Sequence, residues 1–408
     1  MSTVPFGALF FAWCTLMAVA PIRRPRRLAL LSWISSVAPN EVPFLFLYIV
    51  VGSTVPTVLD AGLGSAGSWI SLALAVLTSA GLIVVALRSM RSGPAVQRAL
   101  AEGLGKRWRS EIDPRLGAQL RRRLPWARIL LVPWMFGRRD VVHLANIAYS
   151  DAGTSNLLDV YRHRAQPVGA PTLVYLHGGG FRSGRKNREA RPLLYHLASQ
   201  GWMCISANYR LGAPADAFPH NLIDVKKIIA WVRAHGHEYG ADPSTIFLIG
   251  ASAGAHLTAT AALTANDPTF QPGFEEADTA ITAGIALYGY YGQLGGDEQP
   301  PTSPLAYDGE APPFLVAHGD QDTYTPPEGA RALVDHLRAV STNPVVYAEL
   351  PGARHSFDLF HSVRFENVID GIEGFAAWVR SRDRRVELGG PRADDVRQRI
   401  RPLVRDRT

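Results

Sequence analysis

The sequence predicts an α/β domain, a mostly parallel sheet covered by helices on both faces, preceded by an N-terminal region of membrane-spanning helices. Three observations carry this expectation. Residues 1–87 contain three long apolar stretches without a single charge. From Asn146 onward, short and continuously apolar runs alternate with stretches of helical periodicity, the pattern of parallel strands covered on both faces. Between these regions the chain turns basic: residues 88–146 hold thirteen Lys and Arg against four Asp and Glu.

Composition narrows the class further. A chain of 408 residues has room for two or three domains. With 47% apolar and 19% charged residues it is neither a disordered chain nor a coiled coil. Cys14 and Cys204 alone cannot form a disulfide scaffold, and no Cys or His spacing suggests a zinc site. The net charge of +7 is concentrated in residues 88–146 and the rest of the chain is close to neutral, so nucleic acid is not an expected partner.

Taken in order, residues 4–22 are apolar and long enough to cross a bilayer. A cleaved signal peptide competes, with Ala18-Val19-Ala20 as the cleavage site. It lacks a basic start, however, and Pro21 would follow the cut, so a retained helix is expected. Residues 28–37 are apolar but short, and Pro39-Asn40-Glu41 breaks them from the next apolar run, giving an interfacial piece or a kinked start. Residues 42–59 and 69–87 supply two further spans without the polar face that soluble helices carry, which disfavours a soluble helical bundle. Arg23, Arg24, Arg26 and Arg27 follow the first span, and Arg88, Arg91 and Arg98 follow the last, whereas the 60–68 loop has no basic residue. The bias of Lys and Arg toward the cytoplasm then puts the amino terminus outside and everything after Arg88 inside. Residues 88–140 become a basic juxtamembrane or cap segment near anionic headgroups, within which 124–137 suits either an interfacial element or a packing helix.

Residues 141–382 form the expected α/β domain. Its strand candidates are 172–176, 204–208, 246–249, 284–288, 314–318 and 345–350. Helical stretches at 189–200, 221–235, 252–264, 327–340 and 366–380 separate them, and Asp242-Pro243-Ser244 marks a turn before its strand. Residues 383–408 are charge-rich and expected to be frayed or disordered.

The chemistry centres on Gly250-Ala251-Ser252-Ala253-Gly254, which follows a strand and opens a helix. That context makes it a G-x-S-x-G elbow, a strained turn that exposes a serine hydroxyl at the carboxyl end of the sheet. The bland reading is a glycine-rich strand–helix turn. Seventy-five residues earlier, His177-Gly178-Gly179-Gly180 ends a strand. Alone it could be a flexible loop, but ahead of the elbow it reads as a loop whose amides converge on an oxyanion. His177 is read as a hydrogen bonder shaping that loop. Triad partners should follow in the order acid, then histidine. Asp320 and Asp322 both follow the 314–318 strand: Asp320 could cap the turn, and Asp322 could reach over the sheet. His355 follows the last strand, where a base belongs. His237-Glu238 lacks a second metal-binding arm.

Residues 146 to about 380 resemble the hormone-sensitive-lipase-like and feruloyl-esterase-like branches of the α/β-hydrolase superfamily. The resemblance rests on 156–162 (NLLDVYR), HGGGF at 177–181, Asn208-Tyr209-Arg210-Leu211, 239–243 (YGADP), GASAG at 250–254, HGDQD at 318–322 and the His355 loop. It implies the α/β-hydrolase fold, with Ser252 as nucleophile, His355 as base, Asp322 as orienting acid, and Gly179, Gly180 and Ala253 as oxyanion donors. Two departures stand out. The acidic residue common soon after Tyr-Arg is replaced by Gly212-Ala213-Pro214, and membrane spans with the basic segment stand where the family has an N-terminal cap.

The expected protein is therefore a membrane-anchored serine esterase or lipase acting on small-molecule or lipid esters, with no metal, nucleotide or organic cofactor. Rival readings are an amide or sugar-ester hydrolase (arylformamidase, deacetylase or prenylcysteine methylesterase type) and a catalytically silent scaffold. Removal of residues 1–87 is expected to leave an active but less membrane-selective enzyme.

Overall fold

The computed structural model describes residues 6–120, 123–166, 168–295 and 300–387. Its centre is an eight-stranded sheet of β1 (Val141–Ala148), β2 (Leu157–His163), β3 (Ala170–Leu176), β4 (Met203–Ala207), β5 (Ala241–Ala251), β6 (Ala283–Leu287), β7 (Phe314–Gly319) and β8 (Val345–Leu350), ordered β1-β2-β4-β3-β5-β6-β7-β8. Strands β4, β3 and β5 through β8 run parallel, while β1 and β2 pair antiparallel at one edge. All six predicted strands are present. Strands β1, at the edge, and β2, next to it, are additions, because VVHLANIA mostly alternates half-buried and exposed positions and LLDVYRH carries charges, unlike the continuous apolar runs of central strands.

Preceding and flanking the sheet are α1 (Phe6–Val19), α2 (Arg26–Glu41), α3 (Pro43–Ala61), α4 (Ala66–Met90), α5 (Ser92–Leu104), α6 (Pro114–Gly117), α7 (Trp126–Leu131), α8 (Arg191–Ser199), α9 (Pro214–Ala217), α10 (His220–His235), α11 (Ala253–Leu263), α12 (Pro327–Val340) and α13 (Val363–Glu387). Along β3, Leu173 and Tyr175 face one core with α8, α13 and α5, while Val174 and Leu176 face another with α10, α11 and α12. Both faces are thus covered. Asp242-Pro243-Ser244 lies inside β5 as an irregularity, where the register against β3 jumps from Ala241 to Ile246.

The basic segment enters this architecture more deeply than its charge suggests. Val96, Leu100, Leu104, Trp108 and Leu116 are buried in the same core as α13, and α5 packs on β8. Around α7, Ile129 is buried while Trp126, Leu131, Trp134 and Met135 stay exposed, so one element both packs and presents an apolar surface. The last segment, expected from residue 383, begins inside α13, and residues 388–408 lie outside the described residues.

In the N-terminal region α1 packs on α2 and α4, and α3 packs on α4. Among the described residues, two helices are long and apolar enough to cross a membrane by length and composition, over Pro43–Asp60 and Ala66–Leu104. Within those residues the first expected span is a helix of 14 residues, Phe6–Val19, against the roughly 20 a bilayer needs. The expected break at Pro39-Asn40-Glu41 is displaced: α2 runs through Pro39 to Glu41 and the chain turns into α3 at Val42. Helix α2 buries Ser32, Ser36, Asn40 and Glu41 and exposes Leu28, Leu31 and Ile34. Its polar side faces protein and its apolar side faces outward.

Candidate active site

Register brings the functional loops together. Leu176 stands opposite Gly250, Ala251 opposite Leu287, and Gly319 opposite Leu350, so the chain leaves β3, β5, β7 and β8 at one end of the sheet. Between β5 and α11, Ser252 adopts φ 53° and ψ −113°, a conformation non-glycine residues rarely hold. Its amide donates to the Leu287 carbonyl at 2.9 Å. The turn is crowded: a Cβ on Gly254 would lie 2.1 Å from the Leu176 carbonyl oxygen, so only glycine fits there.

Ser252, His355 and Asp322 are all buried and form one hydrogen-bonded chain. Ser252 Oγ lies 2.9 Å from His355 Nε2, and His355 Nδ1 lies 2.8 Å from Asp322 Oδ2. With the proton on Nδ1 donated to the carboxylate, Nε2 is left to accept from the serine hydroxyl. Asp322 Oδ1 accepts from the amides of Tyr324 and Thr325, each at 2.9 Å. The Thr325 hydroxyl lies 3.0 Å from both Asp322 Oδ2 and His355 Nδ1. Burial alone would raise the Asp322 carboxyl, but the facing His355 and these hydrogen bonds hold it below the usual carboxylate range. Asp320 goes elsewhere. Its Oδ1 accepts from the Gly352 amide at 2.7 Å, closing the turn after β8, and burial pushes its carboxyl up.

The glycine loop packs beside the serine: a Cβ on Gly178 would lie 3.1 Å from that of Ser252. Gly179 takes φ 128°, where a side chain would collide with the Ser183 carbonyl. Among the described residues, the amides of Gly179 and Gly180 donate to no protein group. Ala253 opens α11, where the first N–H groups lack an intrahelical acceptor. His177 stacks on Tyr209, whose hydroxyl donates to the His177 carbonyl at 2.6 Å, and its Nδ1 faces the Gly178 carbonyl. Its ring bonds within the loop and to none of Ser252, His355 and Asp322, so it shapes the loop.

Several groups around the site carry no sequence signal of their role. Glu189 accepts from the Gly178 amide at 2.6 Å and from the Tyr175 hydroxyl. Tyr175 and Tyr288 both donate to the buried Asp358, three residues past His355. One polar cluster therefore braces the glycine loop and the histidine loop together. Arg210 finds its acidic partner in Asp224 of α10 at 2.8 Å, although no acidic residue closely follows the Tyr-Arg pair. Trp33 of α2 reaches His355 across 322 residues of chain.

The parallel sheet, the serine elbow and the glycine loop define an α/β-hydrolase. The family model described as BD-FAE matches residues 158–292. The chain is 36% identical over 401 residues to "Probable carboxylic ester hydrolase LipM" of Mycobacterium tuberculosis, covering 90% of this chain and 91% of that protein. It is 38% identical over 272 residues to "Esterase LipQ" and 39% identical over 254 residues to "Esterase LipC" of the same organism. Those two alignments cover 60% and 55% of this chain, and 64% and 62% of the relatives. The chain belongs to the hormone-sensitive-lipase-like carboxylesterases of the α/β-hydrolase superfamily.

Proposed function

We propose that this protein is a membrane-anchored serine esterase that hydrolyses apolar esters through an acyl-enzyme. Ser252 is the nucleophile, His355 the general base and Asp322 the group that orients the imidazole. The observation that carries this reading is the unbroken relay of 2.9 and 2.8 Å from hydroxyl to carboxylate in a buried site. His355 Nε2 takes the serine proton as Oγ attacks the ester carbonyl, and Asp322 stabilises the imidazolium that results. The Gly179, Gly180 and Ala253 amides receive the negative charge of the tetrahedral intermediate. His355 then protonates the leaving alcohol, and water activated by the same base releases the acid. An alkyl phosphonate probe should label wild-type protein at Ser252 and leave Ser252→Ala unlabelled. Labelling elsewhere would sink the assignment.

The membrane reading has two supports. Helices α3 and α4 are long and apolar enough to span a bilayer. Helix α2 turns Leu28, Leu31 and Ile34 outward, as a helix bordered by lipid would. In this reading residues 1–87 anchor, 88–140 join anchor to catalytic domain, 141–382 catalyse, and 383–408 form a charged tail. The basic flanks favour the cytoplasmic face for the catalytic domain. Protease added to sealed cells should spare that domain, and its digestion from outside would overturn this orientation.

A further inference from the structure

The N-terminal helices do more than precede the catalytic domain: they close on the base. The indole Nε1 of Trp33 donates to the main-chain carbonyl of His355 at 3.1 Å. Its ring stacks on Tyr324, with centroids 4.8 Å apart, and meets the His355 imidazole edge-on at 5.4 Å. Tyr324 packs on that imidazole at 4.9 Å, and its amide is one of the two that hold Asp322. Trp33 therefore touches the base directly and the acid loop through one neighbour.

The surrounding contacts fix where Trp33 sits. Arg354, adjacent to His355 and fully buried, donates to Ser36 Oγ at 2.7 Å and to the Met17 carbonyl. Arg364 pairs with Glu41, and Ser362 donates to the same carboxylate at 2.8 Å. The chain is thus tied to α1 and α2 on both sides of the base. Between these ties Ser356 holds φ 64°, a conformation that persists only where its surroundings impose it.

We propose that Trp33 is a positioning residue for His355: its N–H holds the base's carbonyl and its ring, backed by Tyr324, fixes the imidazole over Ser252. The proposal rests on His355 being the base. It makes the N-terminal helices part of the active site, so that removing residues 1–87 uncaps the base instead of leaving a competent enzyme with altered membrane preference.

The test uses the full chain in detergent micelles with a water-soluble short-chain nitrophenyl ester, so that partition into membrane is not read. Trp33→Phe removes the N–H and keeps most of the ring; Trp33→Ala removes both. The phenylalanine variant should lose about three- to tenfold in kcat, the size of one hydrogen bond. The alanine variant should lose about 10²-fold, the size of a misplaced catalytic group. KM should change by less than about twofold in both, and the acid limb of the pH profile of kcat/KM should move. Melting temperature, measured alongside, separates these effects from unfolding, and if the alanine variant fails to fold the phenylalanine variant decides alone. Wild-type kcat and an unmoved pH profile in Trp33→Phe would overturn the proposal, as would a rise confined to KM, which would make Trp33 only a wall of the substrate site. Ser252→Ala, run in parallel, separates the two levels: full activity there would sink the underlying catalytic reading whatever Trp33 does.

Discussion

The central strands of the sheet bury continuous apolar runs, whereas helix α2 of the N-terminal region buries a polar side. Strand β3 is buried along its whole length with Leu173, Val174 and Leu176 inside. Helix α2 instead buries Ser32, Ser36, Asn40 and Glu41, while α4 exposes Val76, Leu77, Ile83, Val84 and Leu87. Under the membrane anchoring proposed above, the same physics sorts both: apolar groups leave water where water is the solvent, and polar groups seek hydrogen-bonding partners inside protein where the surroundings are lipid. The two sorting rules meet at the loop between β8 and α13, where buried polar groups of α2 contact the segment that carries His355.

The largest effects are expected in the sheet domain. Ser252→Ala should lower kcat by about 10⁴-fold or more with the melting temperature intact, because the elbow needs its glycines and not its hydroxyl to fold. Substantial ester hydrolysis by the purified variant would remove the nucleophile assignment. Asp322→Asn should cost about 10³–10⁴-fold in kcat by mis-setting the imidazole tautomer. Asp320→Asn, which touches the Gly352 turn, should act mainly on stability. A kinetic ranking with Asp320→Asn the more damaging would reverse the roles of the two aspartates.

From the helical side, Glu41→Ala strands the fully buried Arg364 without a carboxylate. Breaking a buried pair in this way should destabilise the protein by about 3–5 kcal/mol. Chemical denaturation of the detergent-solubilised protein measures it, and an unchanged midpoint would mean that the two regions are not coupled through this pair. The last effect concerns pH. Burial, followed by the nearby Glu189, pushes the Asp358 carboxyl up to about 7. A carboxyl raised in the fold contributes stability that is fully present below its unfolded pKa of about 3.9 and is lost as pH rises through about 7. Relative to wild type, Asp358→Asn should therefore gain in melting temperature as pH rises from about 4 to 8. Parallel melting curves across that range would show that Asp358 does not titrate in the fold.

Legibility differed between the two regions for physical reasons. The central strands stand out because burial on both faces demands unbroken apolar runs such as TLVYL and IFLI. Strands β1 and β2 escape that filter, since an edge alternates and Asp159 inside β2 is a charge whose partner, Lys186, comes from a loop. The position of Ser252 at a strand-to-helix turn is legible because glycines flank it where backbone segments cross. Asp320 and Asp322 cannot be separated by spacing, because both follow β7 within three residues. What separates them is the destination of each carboxylate: the Gly352 amide for one, His355 for the other.

By itself the sequence determined the alternation of strands and helices, the apolar N-terminal helices and the motifs at the strand ends. These depend on local periodicity and on residues with unusual backbone freedom, and both are written in short stretches of chain. Only the tertiary structure decided that α5 packs into the sheet domain, that Glu189 and Asp358 brace two loops at once, and that Trp33 rests on His355. A tryptophan in an apolar stretch reads the same whether it meets lipid or imidazole. The difference lies in a contact across 322 residues, and no local pattern encodes a contact of that range.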